Sequence, residues 1–421
     1  MKKIINAMVL GVTVLSGSAY ADTTLNLVEV ITSPKRTELL KQQVAAFEAA
    51  NPGTTVEITS LPWGQAFEKL ATMVSSGQAP DVVEMPDKWM GVYGNANQLE
   101  NLESYYKDWD HAATLSDKAQ NMGRLVGGDL YQIPYGFYLR AMFYNKTLFK
   151  QAGIEQTPHT IEEFKEAARK VSELDGKYGY CLRGSKGGHG GWLMFSSIMN
   201  GSADFFDSNG KSTIDSEGSK QGLSLLVDIY KNGWAPKDSV NWGFNEIVAG
   251  FYSNTCAMLD QDPDALIAIA DKMSSDEFGV IPMPVGPSGK SYPVIGFAGW
   301  SMFSSSENKD QSWKLISHLT KPESNVDWAQ FVGVIPVHKG AEQDQHFSSE
   351  QFAGWFEELN KPEYEPLVFP HHLKQFGYFA DVKLIEGGQE LLLGTRSVDE
   401  VAAEWSEYLT EAQTEWLENK K

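Results

Sequence analysis

The residues able to do chemistry in this chain are carboxylates and aromatic rings, and neither group falls into a catalytic pattern. Asp87, Glu246, Asp260 and Asp262 stand where strands or helices begin or end. Two carboxylates about 5–9 Å apart would serve glycoside hydrolysis, yet nothing in the spacing selects a pair. There is no GxSxG elbow, no HExxH, no GxxxxGK[ST] phosphate loop and no GxGxxG after a strand. His371-His372 has no third partner at metal spacing, and two cysteines cannot build a metal cluster. Neither a metal, nor a cofactor, nor a catalytic residue is expected.

The aromatic residues say more. The chain holds 12 Trp, 16 Tyr and 21 Phe, several of them beside glycine and polar residues rather than inside apolar runs. Leu61-Pro-Trp63-Gly, Asp87-Lys-Trp89, Tyr135-Gly-Phe-Tyr138, Gly191-Trp192, Asn241-Trp242-Gly and Gly299-Trp300-Ser are of this kind. A flat ring beside Asp, Asn, Gln or His suits a sugar, which has one C–H face and a rim of hydroxyls. Trp192 and Trp300 stand out, because a neighbouring glycine lets the backbone approach a ligand and leaves the indole face uncovered.

Composition narrows the partners. Hydrophobic residues make up 42% and charged residues 21%, the balance of a globular chain. Acids exceed bases by 20, giving a formal net charge of −20. Such a surface repels phosphate backbones, so nucleic acid is not an expected partner. Lys2 and Lys3, the apolar stretch 4–15 and Ala19-Tyr20-Ala21 form a secretory signal peptide, with cleavage expected after Ala21. Residues 1–21 are thus set apart from the fold, and the mature chain is expected to be exported to the periplasm. In an oxidising compartment Cys181 and Cys256 either form a disulfide or remain as two buried thiols, and both readings stay open.

Strand and helix signals alternate along the chain. Residues 24–31 and 55–59 read as strands, and 80–85 as a third, short one. Between them lie helices with apolar stripes at Leu40, Val44 and Phe47, and at Phe67, Leu70 and Val74. Further on, Thr160-Ile-Glu-Glu163 is a capping box, and Ser397-Val-Asp-Glu400 starts a long terminal helix with Val401, Trp405, Tyr408, Ala412 and Trp416 on one face. This rhythm predicts an α/β fold with mainly parallel sheets. Gln132-Ile-Pro-Tyr-Gly136, Ile281-Pro-Met-Pro-Val-Gly-Pro287 and Val334-Ile-Pro-Val337 are sharp turns between α/β units, and three crossings would make both domains discontinuous.

Taken in order, several segments resemble the extracellular solute-binding proteins of family 1, the sugar-binding subunits of ABC importers related to maltodextrin-binding protein. The resemblance rests on Phe47-Glu-Ala-Ala-Asn-Pro-Gly53, Gly77-Gln-Ala-Pro-Asp-Val-Val83 and Leu130-Tyr-Gln-Ile-Pro-Tyr135. Phe143-Tyr-Asn-Lys-Thr-Leu-Phe149, Ala152-Gly-Ile154, Val248-Ala-Gly250 through Cys256-Ala-Met258, and Gly296-Phe-Ala-Gly-Trp-Ser301 complete it. It implies a two-lobed periplasmic-binding-protein fold, with lobes joined by hinge strands and ligand in the cleft between them. Placed on the three crossings, the N-terminal lobe comprises 22–134 plus 287–335 and the C-terminal lobe 135–286 plus 336–421.

The resemblance places Ser33, Asp87, Trp89, Tyr138, Trp192, Asp260, Gln261, Asp262, Trp300, Phe376 and Tyr378 in the cleft. The loop aromatics Trp63 and Trp242, with His189, Gly299 and His372, join the expected site. Trp192 and Trp300, one in each lobe, would close on the ligand from opposite sides. His189-Gly-Gly-Trp192 and Gly299-Trp300 depart from the maltodextrin binder, so its ligand is not carried over. Arg140, Lys35, Arg36, His189 and His372 face either an acidic sugar or solvent. The function this implies is a monomeric periplasmic receptor that binds a mono- or oligosaccharide and delivers it to a membrane permease. A glycosidase-like exported enzyme, or a binder of a polyol or glycerol phosphate, is the alternative.

Overall fold

In a computed structural model, residues 23–32 and 34–419 are described, and the signal segment 1–21 lies outside them. Among the described residues, nine strands form two sheets. β1 (Thr23–Glu29), β2 (Thr54–Ser60), β3 (Val82–Pro86), β4 (Ile133–Leu139) and, far along the chain, β9 (Ile295–Met302) make a five-stranded sheet of order β2-β1-β3-β9-β4. β5 (Ala141–Asn145), β6 (Tyr178–Tyr180), β7 (Cys256–Gln261) and β8 (Phe278–Ile281) make a four-stranded sheet of order β6-β7-β5-β8.

The sheets are mixed rather than mainly parallel. β1 pairs in parallel with β2 and β3, but β9 runs antiparallel to both β3 and β4. In the second sheet β5 runs antiparallel to β7 and β8. Each odd strand enters from the other lobe, and that direction of entry decides its polarity. A βαβ rhythm read locally misses this, because parallel pairing is dictated only where strand and crossover helix stay on one sheet.

Three crossings join the lobes and are tied to one another. Arg140 is the only residue between β4 and β5. Its backbone N–H donates to the Val294 carbonyl at 3.0 Å, on the second crossing. On the third, Phe137 and Ile335 exchange backbone hydrogen bonds of 2.9 and 3.0 Å. The lobe boundary expected between 134 and 135 therefore falls too early. β4 belongs to the first sheet through Leu139, where it pairs with Ile295 of β9. Likewise Val337 and Lys339 still bond to residues of the first lobe, Ser116 and Thr114.

The helical stripes bury where the sequence places them: Leu40, Val44 and Phe47 pack under the first sheet. The Thr160–Glu163 capping box forms with both reciprocal bonds. On the terminal helix Val398–Asn419, Val401, Trp405 and Ala412 are buried against the second lobe. Cys181 and Cys256 are joined in a disulfide with Cα atoms 5.5 Å apart, β6 and β7 being parallel neighbours. A link spanning 75 residues stabilises by constraining the unfolded chain, by about 2–4 kcal/mol.

Candidate functional site

The end of β3 builds the first wall. Glu84, fully buried, accepts the backbone N–H groups of Val30 and Ile31, both at 2.8 Å, and the Tyr135 hydroxyl at 2.7 Å. Arg36 donates to it at 2.6 Å and lies 4.9 Å over the Trp328 ring. Arg36 is therefore a buried partner of Glu84 rather than a group facing an acidic sugar, whereas Lys35 is exposed. The half-buried Tyr138 has its hydroxyl 3.5 Å from that of Tyr135.

Three residues after Glu84 the chain turns into the helix Asp87–Asn95, and Asp87 sits in its first turn, where a carboxylate is favoured. Asp87 accepts the N–H groups of Lys88 at 2.6 Å and of Phe297 at 3.2 Å, and His371 Nε2 lies 3.5 Å away. Burial pushes its carboxyl up, but His371 and the two N–H donors outweigh it and hold the group below the usual range. Gly91 permits this approach, since a Cβ there would lie 2.1 Å from the His371 carbonyl oxygen. Lys88 reaches Asp381 at 3.5 Å.

The second wall gathers on Arg140. Its guanidinium pairs with Asp260, which also accepts the Tyr180 hydroxyl. It lies so close to the start of the helix His189–Asn200 that a Cβ on Gly190 would meet it at 2.7 Å. Beyond β7, Asp262 and Asp264 face this cation and Arg183. Burial raises both carboxyls, Asp264 to about 7 with Asp262 adding to the effect. Burial, with Arg140 and Lys88 nearby, drives His189 down to about 3, so its imidazole is neutral. Burial beside Arg140 lowers Arg183 to about 10. Asp381 sits 4.0 Å from His189 on a π-helical turn, Phe379–Lys383, a local distortion frequent at functional sites.

The raised Asp264 carboxyl gives a pH test. From about pH 4 to pH 7 the folded chain holds a proton there that the unfolded chain has lost, so stability falls as pH rises through this window. Asp264→Asn is expected to exceed the parent in stability at pH 8 by on the order of 2 kcal/mol, the gap closing toward pH 4. Urea denaturation at pH 5 and pH 8 reads this; a gap independent of pH would contradict it.

Of the expected residues, Asp87, Tyr138, His189 and Asp262 converge here, with Asp260 engaged by Arg140. The indoles of Trp192 and Trp300 do not. Trp192 is 1% exposed, and a Cβ on Gly388 would lie 2.6 Å from its Nε1. Trp300 is 2% exposed in mid-β9, among Tyr135 and Trp328 at 6.1 and 6.4 Å. Both indoles are core, so the expected closing of two rings on a ligand is corrected. Gly299 serves the same packing: a Cβ would strike the Ile133 carbonyl oxygen at 2.3 Å.

Trp89 is buried against Phe67, and Phe376 against Phe369 and His371. Trp242 covers Gly250 next to the Cys181 sulfur. His372 packs on Trp416 at 4.4 Å and bonds Gln413 at 3.0 Å, while Tyr378, 55% exposed, leans toward Tyr408. Both thus serve the terminal helix. Gln261 is buried and accepts the Asp262 N–H at 3.2 Å. Ser33 lies outside the described residues, as does the side chain of Trp63.

Sequence reasoning passed over Lys88, Arg183, Asp264, His371 and Asp381. Asp264 had a signal, since Asp260-Gln-Asp-Pro-Asp264 ends a strand and starts a helix, whereas Asp381 had none. Among the described residues no group of three or more His, Cys, Asp or Glu could hold a metal ion, and no helix is long and apolar enough to cross a membrane.

Comparison with known proteins places this arrangement. The pattern of the family described as bacterial extracellular solute-binding protein matches residues 33–326. A putative binding protein of Brucella abortus is 25% identical over 327 residues, 77% of this chain and 78% of its own. The sn-glycerol-3-phosphate-binding periplasmic protein of Escherichia coli is 25% identical over 365 residues, 80% of this chain and 79% of its own. Among solved structures, the GacH receptor of Streptomyces glaucescens, known unliganded and with acarbose, superposes with a TM-score of 0.81 at 20% identity, covering 93% of this chain and 99% of its own. The sugar-binding protein MalE of Xanthomonas citri does so at 0.81 and 21%, covering 95% of this chain and 100% of its own. A Thermotoga lettingae solute-binding protein bound with α-D-tagatose gives 0.79 and 22%, covering 93% and 100%.

Proposed function

The chain belongs to the bacterial extracellular solute-binding proteins, and from that premise we propose that it is the periplasmic receptor of an ABC importer for a sugar. The observation that carries the reading is the meeting of polar groups from both lobes around Arg140. Asp87 and Lys88 come from the first lobe; His189, Asp262 and Asp264 come from the second, with His371 and Asp381 from the segment that follows the third crossing. Carboxylates and imidazoles, that of His189 neutral, make directional hydrogen bonds to hydroxyls in a water-poor cleft. A ligand touching both lobes binds the closed arrangement better, and that difference drives closure.

The named relatives support a sugar-like cargo: sugars and acarbose for structural neighbours, a glycerol phosphate for the periplasmic protein of Escherichia coli. The receptor works as a monomer, hands its cargo to permease subunits and returns it unchanged. The mature chain begins at Asp22, which mass analysis of exported protein reads directly; an intact Met1 would contradict this. Native mass spectrometry of freshly purified protein tests the function itself. A co-purified carbohydrate supports the reading, and a co-purified amino acid or peptide overturns it.

A further inference from the structure

We propose that the cleft takes an uncharged, hydroxyl-rich ligand of a single sugar unit, a hexose or an open-chain hexitol, and discriminates against both phosphorylated polyols and oligosaccharides. The inference rests on the sugar-receptor reading and narrows it.

The first ground is charge. The cleft cations are already engaged: Lys88 with Asp381 at 3.5 Å, Arg140 with Asp260, and Arg36, further back, with Glu84 at 2.6 Å. Arg183 donates through Nε to the Lys186 carbonyl at 2.8 Å and faces Asp262 and Asp264. A phosphate ester would have to enter beside Asp87 and Asp381 and draw a cation away from its partner. Hydroxyls meet no such penalty, since each can donate to a carboxylate and accept from an imidazole.

The second ground is the set of polar atoms still without hydrogen-bond partners. His189 Nδ1, His371 Nδ1 and Asp264 Oδ1 are all buried and unpartnered. Buried polar atoms rarely stay so, and these converge on the same cleft. The His371 side chain is 7% exposed, and its other nitrogen lies 3.5 Å from Asp87. Together the three offer buried polar contacts of the kind that read hydroxyls.

The third ground is shape. Successive rings of an oligosaccharide are held on aromatic faces, yet Trp89, Trp192, Trp300 and Phe376 are all in the core. The groove is also closed along one side. The Gly91 backbone abuts the His371 carbonyl oxygen, and Asn95 donates to the His372 carbonyl at 3.3 Å. These contacts leave no passage for a chain extending between the helix Asp87–Asn95 and the 371–372 segment.

Calorimetric titration of the full mature chain, freed of co-purified ligand, with sorbitol, D-tagatose, sn-glycerol 3-phosphate and maltotriose tests this. Sorbitol or D-tagatose is expected to bind at least 100-fold more tightly than the other two. Asp381→Asn is expected to narrow the margin over the phosphate ester at least tenfold, with a melting temperature near the parent's showing that the fold persists. Should the Asp381→Asn melt collapse, Asp262→Asn provides the same comparison. Preference for the phosphate ester or for maltotriose overturns the inference and leaves the receptor reading intact. Binding of none of the four overturns the inference as well, and the receptor reading then stands or falls on the co-purified ligand.

Discussion

Trp300→Ala is expected to cost about 3–5 kcal/mol of stability while leaving the ligand contacts of the folded protein in place. Its indole is 2% exposed, β9 carries it between β3 and β4 opposite Glu84 and Ile133, and Tyr135 and Trp328 flank it. Truncation would open a cavity next to the Arg36–Glu84 pair, where little can collapse to fill it. Trp192→Ala should behave alike, because its ring is wedged against Gly388 in the other core. Urea denaturation beside calorimetric titration separates the roles. A variant with parental stability and lost affinity would return the indole to the ligand.

Arg140→Ala is the second large effect, at about 3–5 kcal/mol, the usual cost of breaking a buried ion pair. Asp260 is 3% exposed and would keep only the Tyr180 hydroxyl as a side-chain partner. The loss also falls on the single residue between β4 and β5, beside the start of the helix His189–Asn200. Asp260→Asn combined with Arg140→Met removes both charges and should recover much of the stability, as paired removal leaves no buried charge behind. Equal destabilisation by the single and double variants would contradict the pairing.

Much of the fold could be read along the chain because its signals are local. A stripe such as Leu40, Val44 and Phe47 needs only helical periodicity, and the Thr160–Glu163 box is complete within four residues. Proline and glycine marked the third crossing, at Val334–Val337, but the first and second fall at Arg140 and Val294, past the Pro/Gly segments 132–136 and 281–287. Strand polarity was not, since β9 reaches its neighbours from more than a hundred residues away. The same distance hid the site. Asp87 and Asp262 lie at strand ends and were found. Lys88 and Asp381 meet only in the folded chain, and the turn that carries Asp381 has no glycine or proline to mark it. Trp192 and Trp300 misled for a physical reason. A glycine beside a tryptophan has the same meaning in sequence whether ligand or protein fills the space it opens. At Gly299 protein does, in the Ile133 carbonyl; at Gly191 a Cβ would meet nothing, and the Trp192 ring is buried instead by its own contact with Gly388.

The central claim is that one ligand is gripped by both lobes and draws them together about the crossings at Arg140, Val294 and Ile335. Small-angle X-ray scattering of the mature chain tests it most directly, first stripped of ligand and then saturated with whichever neutral sugar or hexitol calorimetry shows to bind. A smaller radius of gyration in the saturated protein, lost in Asp87→Ala at the same ligand concentration, is the predicted result. An unchanged scattering profile at proven saturation would contradict the account.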